Sequence, residues 1–228
     1  MPPLSVLLTR PEDDARRLAA ELRAMGAWHV EISPLLRIEG AGSVPALSEG
    51  VILTSGNAVR MLRGRSDLAG RPAWVVGAGT ARRAREAGFD VRAVAEDAAA
   101  LLALVPEDAP PLVHPHGEVT RGDVAGRLRA RGLRVDEAVI YRQVPIDLTD
   151  AARALLLGGP VLVPLYSPRS AALFARACPG AAYPNLRILA LSDAVAQACP
   201  VAPVAVSEAP DGDAMRELLR KELGRIGG

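Results

Sequence analysis

Hydroxyl side chains stand at several places in this sequence where a short apolar run gives way to a helical pattern. Thr54 and Ser55 precede one such pattern, and Ser167 precedes another. Each hydroxyl could simply cap the helix that follows it. The free amides and dipole of a helix N-terminus, however, also suit a carboxylate or a phosphate, and ligands of parallel α/β sheets bind at the carboxyl ends of the strands. Several such turns therefore predict a ligand that carries several anionic groups.

A glycine-containing turn, Gly77-Ala78-Gly79-Thr80-Ala81-Arg82, occupies the same kind of position between a strand pattern and a helix pattern. Its order is that of a dinucleotide-binding fingerprint. The sixth position of that fingerprint requires a small residue for close packing of helix on strand, and here it is Arg82. We therefore interpret the turn as a helix N-terminus that suits an anion. A nucleotide-dependent oxidoreductase remains a weaker alternative.

Two histidines separated by one residue, His114-Pro115-His116, have side chains that commonly bind metals. No third ligand stands at a convincing spacing, and no acidic pair accompanies them. We therefore interpret the two as a solvated pair at the end of a strand. The sequence also lacks a Gly-x-Ser-x-Gly turn and a Cys/His nucleophile signature. We accordingly expect no metal, no cofactor and no covalent intermediate.

Tyr141 lies in an extended run that covers residues 138–144. An ordinary strand tyrosine packs its ring and exposes its hydroxyl, and the run by itself does not distinguish such a residue from a functional one. A phenol has a reference pKa of ~10, so it stays protonated at neutral pH and can donate a hydrogen bond. The neighbouring Asp136 and Glu137 should instead be ionised.

The composition excludes several classes of protein. Of the 228 residues, 50% are hydrophobic and 23% are charged, with a formal net charge of +1. Such a chain is not disordered, and it is not basic enough for a general nucleic-acid binder. Cys178 and Cys199 form no CxxC motif, and the N-terminus has no basic signal-peptide segment. No stretch approaches the ~20 apolar residues of a membrane span, so we expect a cytoplasmic protein with reduced thiols.

Short apolar runs alternate with amphipathic stretches along the whole chain. This alternation predicts an α/β protein with parallel sheets and helices on both faces of each sheet. The predicted strands are residues 4–8, 51–53, 73–76, 91–94, 112–113, 161–165, 188–191 and 204–206. Helices are predicted at residues 12–25, 57–62, 80–87, 98–104 and 119–131.

The sequence also contains an internal repeat, in which two halves of about 110 residues share one plan. Each half begins with a strand, a helix that ends in Leu-Arg-Ala-x-Gly, and a second strand. Any βα protein is self-similar to some degree, but the order of the matched segments favours a duplication. The matched segments are residues 6–36 with 112–144, 53–62 with 165–174, and 74–88 with 188–200.

Together these motifs resemble those of the uroporphyrinogen-III synthase family over nearly the full length of the chain. The resemblance rests on Leu8-Thr9-Arg10-Pro11, Pro34-Leu35-Leu36, Leu53-Thr54-Ser55, Asn57-Ala58-Val59, Val76-Gly77-x-x-Thr80-Ala81, Leu128-x-x-x-Gly132-x-x-Val135, Val139-x-Tyr141 and Ser167-Pro168-x-Ser170-Ala171. The chain departs from the family pattern at Asp193-Ala194, where a glycine-threonine turn is usual, and at Tyr166, where threonine is usual. These departures keep open a diverged, non-catalytic tetrapyrrole-binding or regulatory paralogue.

The resemblance implies two flavodoxin-like parallel-sheet domains joined by a two-stranded linker, with a substrate cleft between them. On this chain it assigns residues 1–36 and 147–228 to a discontinuous first domain and residues 41–137 to the second. The linker strands would be residues 35–40 and 138–146. This plan agrees with the repeat, because each half of the sequence would donate its first βα segment to the opposite domain.

The resemblance also implies a lyase that cyclises hydroxymethylbilane to uroporphyrinogen III, with inversion of ring D and loss of water. This linear tetrapyrrole carries eight carboxylates and cyclises unaided to the wrong isomer, so the enzyme's task is largely to orient it, which can contribute roughly 7–11 kcal/mol. The family pattern assigns the catalytic role to Tyr141. It implies no metal or other cofactor, and we expect a monomer whose partner is this small molecule rather than a nucleic acid or a membrane. The expected substrate-binding residues are Thr9, Arg10, Thr54, Ser55, Gly77, Thr80, Ser167 and Ser192.

Overall fold

The computed structural model describes residues 4–26, 29–42, 49–120, 122–178 and 183–227. Within these ranges the strands form two sheets, and the chain divides into two compact units. Unit 1 comprises Met1–Arg37 and Val144–Gly228, and unit 2 comprises Ile38–Gln143. The predicted α/β class with parallel sheets is confirmed. No helix in the described ranges is both long and apolar enough to cross a membrane.

The described elements follow one another largely as alternating strands and helices. The strands are β1 (Ser5–Leu8), β2 (His29–Ile32), β3 (Leu36–Gly40), β4 (Gly50–Leu53), β5 (Pro72–Val76), β6 (Asp90–Ala95), β7 (Leu112–Gly117), β8 (Val135–Pro145), β9 (Val161–Leu165), β10 (Leu186–Ala190) and β11 (Ala205–Val206). The α-helices are α1 (Glu12–Met25), α2 (Gly56–Leu62), α3 (Ala78–Glu86), α4 (Ala98–Leu104), α5 (Val124–Ala130), α6 (Asp150–Gly158), α7 (Pro168–Ala177), α8 (Asp193–Ala196) and α9 (Gly212–Gly227).

In unit 1 the strands lie in the order β2-β1-β9-β10-β11, and neighbouring strands are parallel. Alternate residues of β1 face two different cores. Val6 and Leu8 cluster with α1 and α9, whereas Leu7 clusters with α6 and α7. Because helices cover both faces, every residue of β1 and β9 is buried, as is typical of parallel sheets.

In unit 2 the strands lie in the order β3-β8-β7-β4-β5-β6. Val51 and Leu53 of β4 cluster with α2 and α3, whereas Ile52 clusters with α4 and α5. Apart from β3, the order β8-β7-β4-β5-β6 repeats that of unit 1, with β7 and β8 in the places of β1 and β2. Both sheets therefore have the 2-1-3-4-5 order of flavodoxin-like folds.

The chain passes between the two units in β3 and β8, which are neighbours in the second sheet. The amide of Ala41 donates to the carbonyl of Ile140 (3.1 Å), and the amide of Ile146 donates to the carbonyl of Leu35 (3.0 Å). This pairing is antiparallel. As a result, the sheet that contains β9–β11 also contains β1 and β2, which α1 connects. In the same way, the sheet that contains β4–β6 also contains β7 and β8, which α5 connects.

One predicted helix begins later than expected. The sequence pattern predicts a helix from residue 119, but α5 begins at Val124. Gly122 (φ +85°) and Asp123 (φ +37°) both have left-handed backbone conformations, which interrupt a right-handed helix. The Asp123 carboxylate then accepts a hydrogen bond from the Gly126 amide (3.2 Å) and caps α5. Arg121 lies outside the described residues.

Candidate active site

The predicted site residues gather at the carboxyl edge of each sheet, around the point where the strand order reverses. In unit 1 this point lies between β1 and β9, and in unit 2 it lies between β7 and β4. Ligands of open parallel sheets bind in the crevice outside such a point, because the connections on either side lead to opposite faces. The two sets of residues are considered separately below.

Tyr141 and Ser55 form the central contact in unit 2. The Tyr141 hydroxyl donates a hydrogen bond to Ser55 Oγ over 3.0 Å, and the same oxygen accepts from the Asn57 amide (3.1 Å) as the N-cap of α2. The Tyr141 side chain is only 5% exposed. Its ring packs on Gly117, where a Cβ atom would lie 2.6 Å from the ring. The phenol is therefore held firmly, with its O–H directed at the start of a helix.

Beside this pair, Thr54 Oγ1 lies 3.0 Å from Nε2 of His114. His114 and His116 are both buried, at 2% and 9% exposure, so the interpretation of a solvated pair is wrong. They are buried because β7 lies between β4 and β8 inside the sheet. Burial, with a smaller contribution from nearby His116, lowers the pKa of His114 to about 4, while Glu137 opposes the shift. His114 is therefore neutral at physiological pH.

The Gly77 turn leads from β5 into α3. Gly77 has a φ of +82°, which favours glycine, and no side chain in the described part of the chain caps α3. Thr80, in the first turn of α3, is 9% exposed. Arg82, the residue that departs from the dinucleotide fingerprint, is exposed on the helix and lies 3.9 Å from Glu86. The turn offers free helix amides beside a threonine hydroxyl, which is suited to an anion.

Arg83 is a residue near this site that sequence reasoning missed. It follows Thr80 by three positions, so the two share one face of α3. Its guanidinium lies against Gly56 at the start of α2, where a Cβ atom would be 3.1 Å from Arg83 Cζ. Gly56 adjoins Ser55, so this cation stands close to the hydroxyl pair. The spacing from Thr80 is the signal that could have identified it.

In unit 1, Thr9 and Arg10 follow β1. Thr9 is 2% exposed, and among the described residues its Oγ1 has no hydrogen-bond partner. The Arg10 guanidinium lies over the Tyr166 ring, 4.2 Å from its centroid, and bonds to Asp14 (3.1 Å). Burial raises the pKa of the Tyr166 phenol, although Arg10 opposes the shift. The Arg10 guanidinium is thus already paired with a carboxylate and stacked on a ring.

The two later serines of unit 1 differ in their roles. Ser167 Oγ caps α7 by accepting a hydrogen bond from the Ser170 amide (3.1 Å) and lies 2.7 Å from Ser170 Oγ. Ser192 precedes α8, but its side chain makes no cap bond within the described residues. Asp193 and Ala194, which depart from the family pattern, are exposed. Ser192 is therefore not needed to cap its helix, whereas Ser167 is.

Comparison with known proteins is consistent with this geometry. A family model described as uroporphyrinogen-III synthase HemD matches residues 16–217. The fold is similar to that of uroporphyrinogen-III synthetase from Helicobacter pylori 26695, with a TM-score of 0.66 and 15% identity over 96% of this chain and 99% of that chain. A mutant uroporphyrinogen III synthase from Thermus thermophilus gives a TM-score of 0.51 and 20% identity over 97% and 99%. No curated protein sequence matches the chain.

Proposed function

The chain belongs to the uroporphyrinogen-III synthase family, and we propose that Tyr141 is the catalytic group of its reaction. The protein has the synthase function of the family, a lyase activity in tetrapyrrole biosynthesis. It cyclises hydroxymethylbilane to uroporphyrinogen III with inversion of ring D and loss of water. Nothing in the family match favours the non-catalytic paralogue or the nucleotide-dependent oxidoreductase.

One observation carries the proposal for Tyr141: its buried hydroxyl donates to Ser55 Oγ at the reversal point of a parallel sheet. In the reaction, the bond between the terminal methylene carbon and its hydroxyl breaks, and the oxygen leaves as water. We propose that the phenol O–H turns from Ser55 to this leaving oxygen and transfers its proton to it as the bond breaks, and that the phenolate then regains the proton that the pyrrole rings release when the macrocycle closes. Ser55 and the packing on Gly117 hold the phenol ready for that exchange.

The substrate carboxylates are proposed to bind at the helix N-termini and hydroxyls of both units. In unit 2 the supporting features are the uncapped start of α3 and the cation of Arg83. In unit 1 they are Thr9 Oγ1, which has no hydrogen-bond partner among the described residues, and Ser192, which makes no cap bond to any of them. A carboxylate accepts several hydrogen bonds at once, so each substrate carboxylate can bind to these amides and hydroxyls without proton transfer. The proposed binding residues are Thr9, Arg10, Thr54, Ser55, Gly77, Thr80, Ser167 and Ser192.

The decisive experiment is Tyr141→Phe, which removes only the hydroxyl. With fresh hydroxymethylbilane we expect the rate of type III formation to fall by about 10²-fold, the low end of general-acid effects, because this substrate ionises easily. The spontaneous type I product should then dominate. Product isomers are separated and quantified at several substrate concentrations, so that kcat and KM are obtained separately.

Tyr183→Phe is the matched control, because Tyr183 is a partly buried tyrosine of unit 1 that is not placed in the site. It should leave the isomer ratio unchanged. If Tyr141→Phe keeps wild-type kcat while both variants remain folded by circular dichroism, the phenol is not catalytic. Orientation alone would then account for the reaction.

We further propose that the protein is a cytoplasmic monomer that binds no nucleic acid. Cys178 and Cys199 are both unpaired, which is typical of proteins in a reducing compartment. The formal net charge of +1 provides little attraction for nucleic acid. Light scattering is expected to give the mass of one chain, 23.9 kDa, and twice that mass would contradict the proposal.

A further inference from the structure

Two neighbouring strands of unit 2 bring together three side chains that can bind a metal. His114 and His116 lie on β7, and Glu137 lies on β8 as the register partner of His114. Ligand atoms of the three side chains lie within 4.8 Å of one another. The two histidines are buried and Glu137 is exposed, so an ion could enter from the side of the carboxylate. The long sequence separation of Glu137 explains why no third ligand was recognised from spacing.

The protonation of His116 is determined by its backbone contact. Its Nδ1 lies 2.7 Å from the carbonyl oxygen of Gly117. A carbonyl can only accept, so Nδ1 carries the proton and, in the neutral ring, Nε2 has a free electron pair. That nitrogen lies 3.6 Å from Oε1 of Glu137. A cation or a proton between these two acceptors would be favourable.

His114 has the same arrangement. Nε2 lies within hydrogen-bond distance of Thr54 Oγ1, while Nδ1 is buried and has no hydrogen-bond partner among the described residues. Metal-binding histidines commonly donate their second ring N–H to a protein acceptor, which fixes the ring orientation. If Nδ1 binds the metal, Nε2 carries the proton and donates it to Thr54. Both histidines thus have one nitrogen engaged and the other available.

The carboxylate of Glu137 is divided between two neighbours. Oε2 accepts from Arg129 (2.8 Å), and Oε1 faces His116. Zinc bonds to nitrogen and carboxylate oxygen are about 2.0–2.2 Å long, so tetrahedral ligands stand roughly 3.3–3.6 Å apart. The 3.6 Å between Nε2 of His116 and Oε1 of Glu137 matches this value, and the other ligand separations, which lie within 4.8 Å, would have to shorten when the ion binds. Arg129 neutralises part of the carboxylate charge and should therefore lower the affinity of the site for zinc.

We propose that His114, His116 and Glu137 bind one zinc ion, with a fourth position open to solvent or a small ligand. Two neutral imidazoles and one carboxylate form a donor set that zinc uses in proteins. Hard cations such as magnesium prefer oxygen ligands and should not bind. None of the three ligands takes part in the proposed synthase step, so the zinc site goes beyond that function.

The test uses the full chain after treatment with a chelator and its removal. Titration calorimetry with Zn²⁺ should show one saturable site, and Co²⁺ should give the visible absorption of a tetrahedral complex. His116→Gln and Glu137→Gln should each weaken binding by roughly 10–100-fold or more, the loss known even for outer-shell changes. His29→Gln, at the exposed third histidine of the chain, should bind as the wild type does. Mg²⁺ should produce no signal.

Two outcomes would overturn the zinc site. One is the absence of saturable binding, and the other is wild-type affinity in His116→Gln and Glu137→Gln while both variants keep the wild-type unfolding temperature. Tyr141→Phe should retain full zinc affinity, because the phenol is not a ligand. Failure of the zinc site and failure of the catalytic proposal are therefore distinguishable.

Discussion

At the scale of single residues, the most informative side chains are hydroxyls and imidazoles held inside the second sheet. Ser55 performs two roles, since it caps α2 and accepts the hydrogen bond of Tyr141. A cap hydroxyl satisfies one of the free amides that every helix N-terminus leaves. The same oxygen therefore stabilises the helix and orients the phenol, and the two interpretations that the sequence left open for Ser55 are compatible.

His114 predicts a dependence of stability on pH. Its pKa is lowered to about 4 in the folded protein from an ordinary value of 6.5, chiefly by burial. The unfolded chain therefore binds a proton that the folded chain does not. This contribution to stability is complete above about pH 6.5 and is lost as the pH falls towards 4. At pH 4 the loss should be roughly 3 kcal/mol.

Urea unfolding of chelator-treated protein at pH 7 and pH 4 checks this prediction. His114→Gln cannot titrate at this position and should show a smaller difference between the two pH values than the wild type. His29→Gln, in which the altered histidine is exposed, serves as the control for substitution of a histidine outside the core. Equal pH dependence in the His114 variant and the wild type would indicate that other groups are responsible.

At the scale of elements, the serines at the helix N-termini of unit 1 differ in whether they cap the helix that follows them. Ser167 caps α7, whereas Ser192 makes no cap bond at α8. Loss of an N-cap hydroxyl costs about 1 kcal/mol. We therefore expect Ser167→Ala to lower the free energy of unfolding by about that amount, and Ser192→Ala to change it little.

Chemical denaturation measures both effects, and the synthase assay is run on the same samples. If Ser192 binds substrate, Ser192→Ala should raise KM without loss of stability. A stability loss in Ser192→Ala as large as that in Ser167→Ala would mean that Ser192 also caps its helix in solution. Unchanged KM in Ser192→Ala would remove it from the proposed binding residues.

At the scale of the whole molecule, the two units differ in whether one continuous stretch of the chain builds their cores. Both core clusters of unit 2 lie within residues 38–143, whereas those of unit 1 draw on residues from both ends of the chain. β1 lies between β2 and β9, inside the first sheet. Without β1, the strand β9 would lose the parallel partner with which it pairs inside the sheet.

We therefore expect a fragment of residues 38–143 to fold by itself and a fragment of residues 144–228 to remain unfolded. Addition of a fragment of residues 1–37 should restore structure to the latter. Circular dichroism and amide proton dispersion distinguish these states. Independent folding of residues 144–228, or an unfolded 38–143 fragment, would contradict the division into units.

The sequence alone determined most of the local structure. Helices at residues 12–25 and 98–104 and the strand at 161–165 have the observed bounds, because apolar periodicity depends on neighbours a few positions apart. The α/β class followed from the alternation of these elements, and the repeated segments occupy equivalent places in the two sheets. The sequence pattern did not predict the late start of α5, because this start depends on left-handed conformations at Gly122 and Asp123. The spacing of apolar residues gives no information about such conformations.

Only the tertiary structure determined which side chains meet. Ser55 and Tyr141 are 86 positions apart in sequence and Thr54 and His114 are 60 apart, yet each pair is within hydrogen-bond distance. These contacts exist because the strand order places β7 between β4 and β8, and that order is a long-range property of the sheet. For the same reason, two histidines that a linear pattern placed at a solvated strand end are buried beside a glutamate from the next strand.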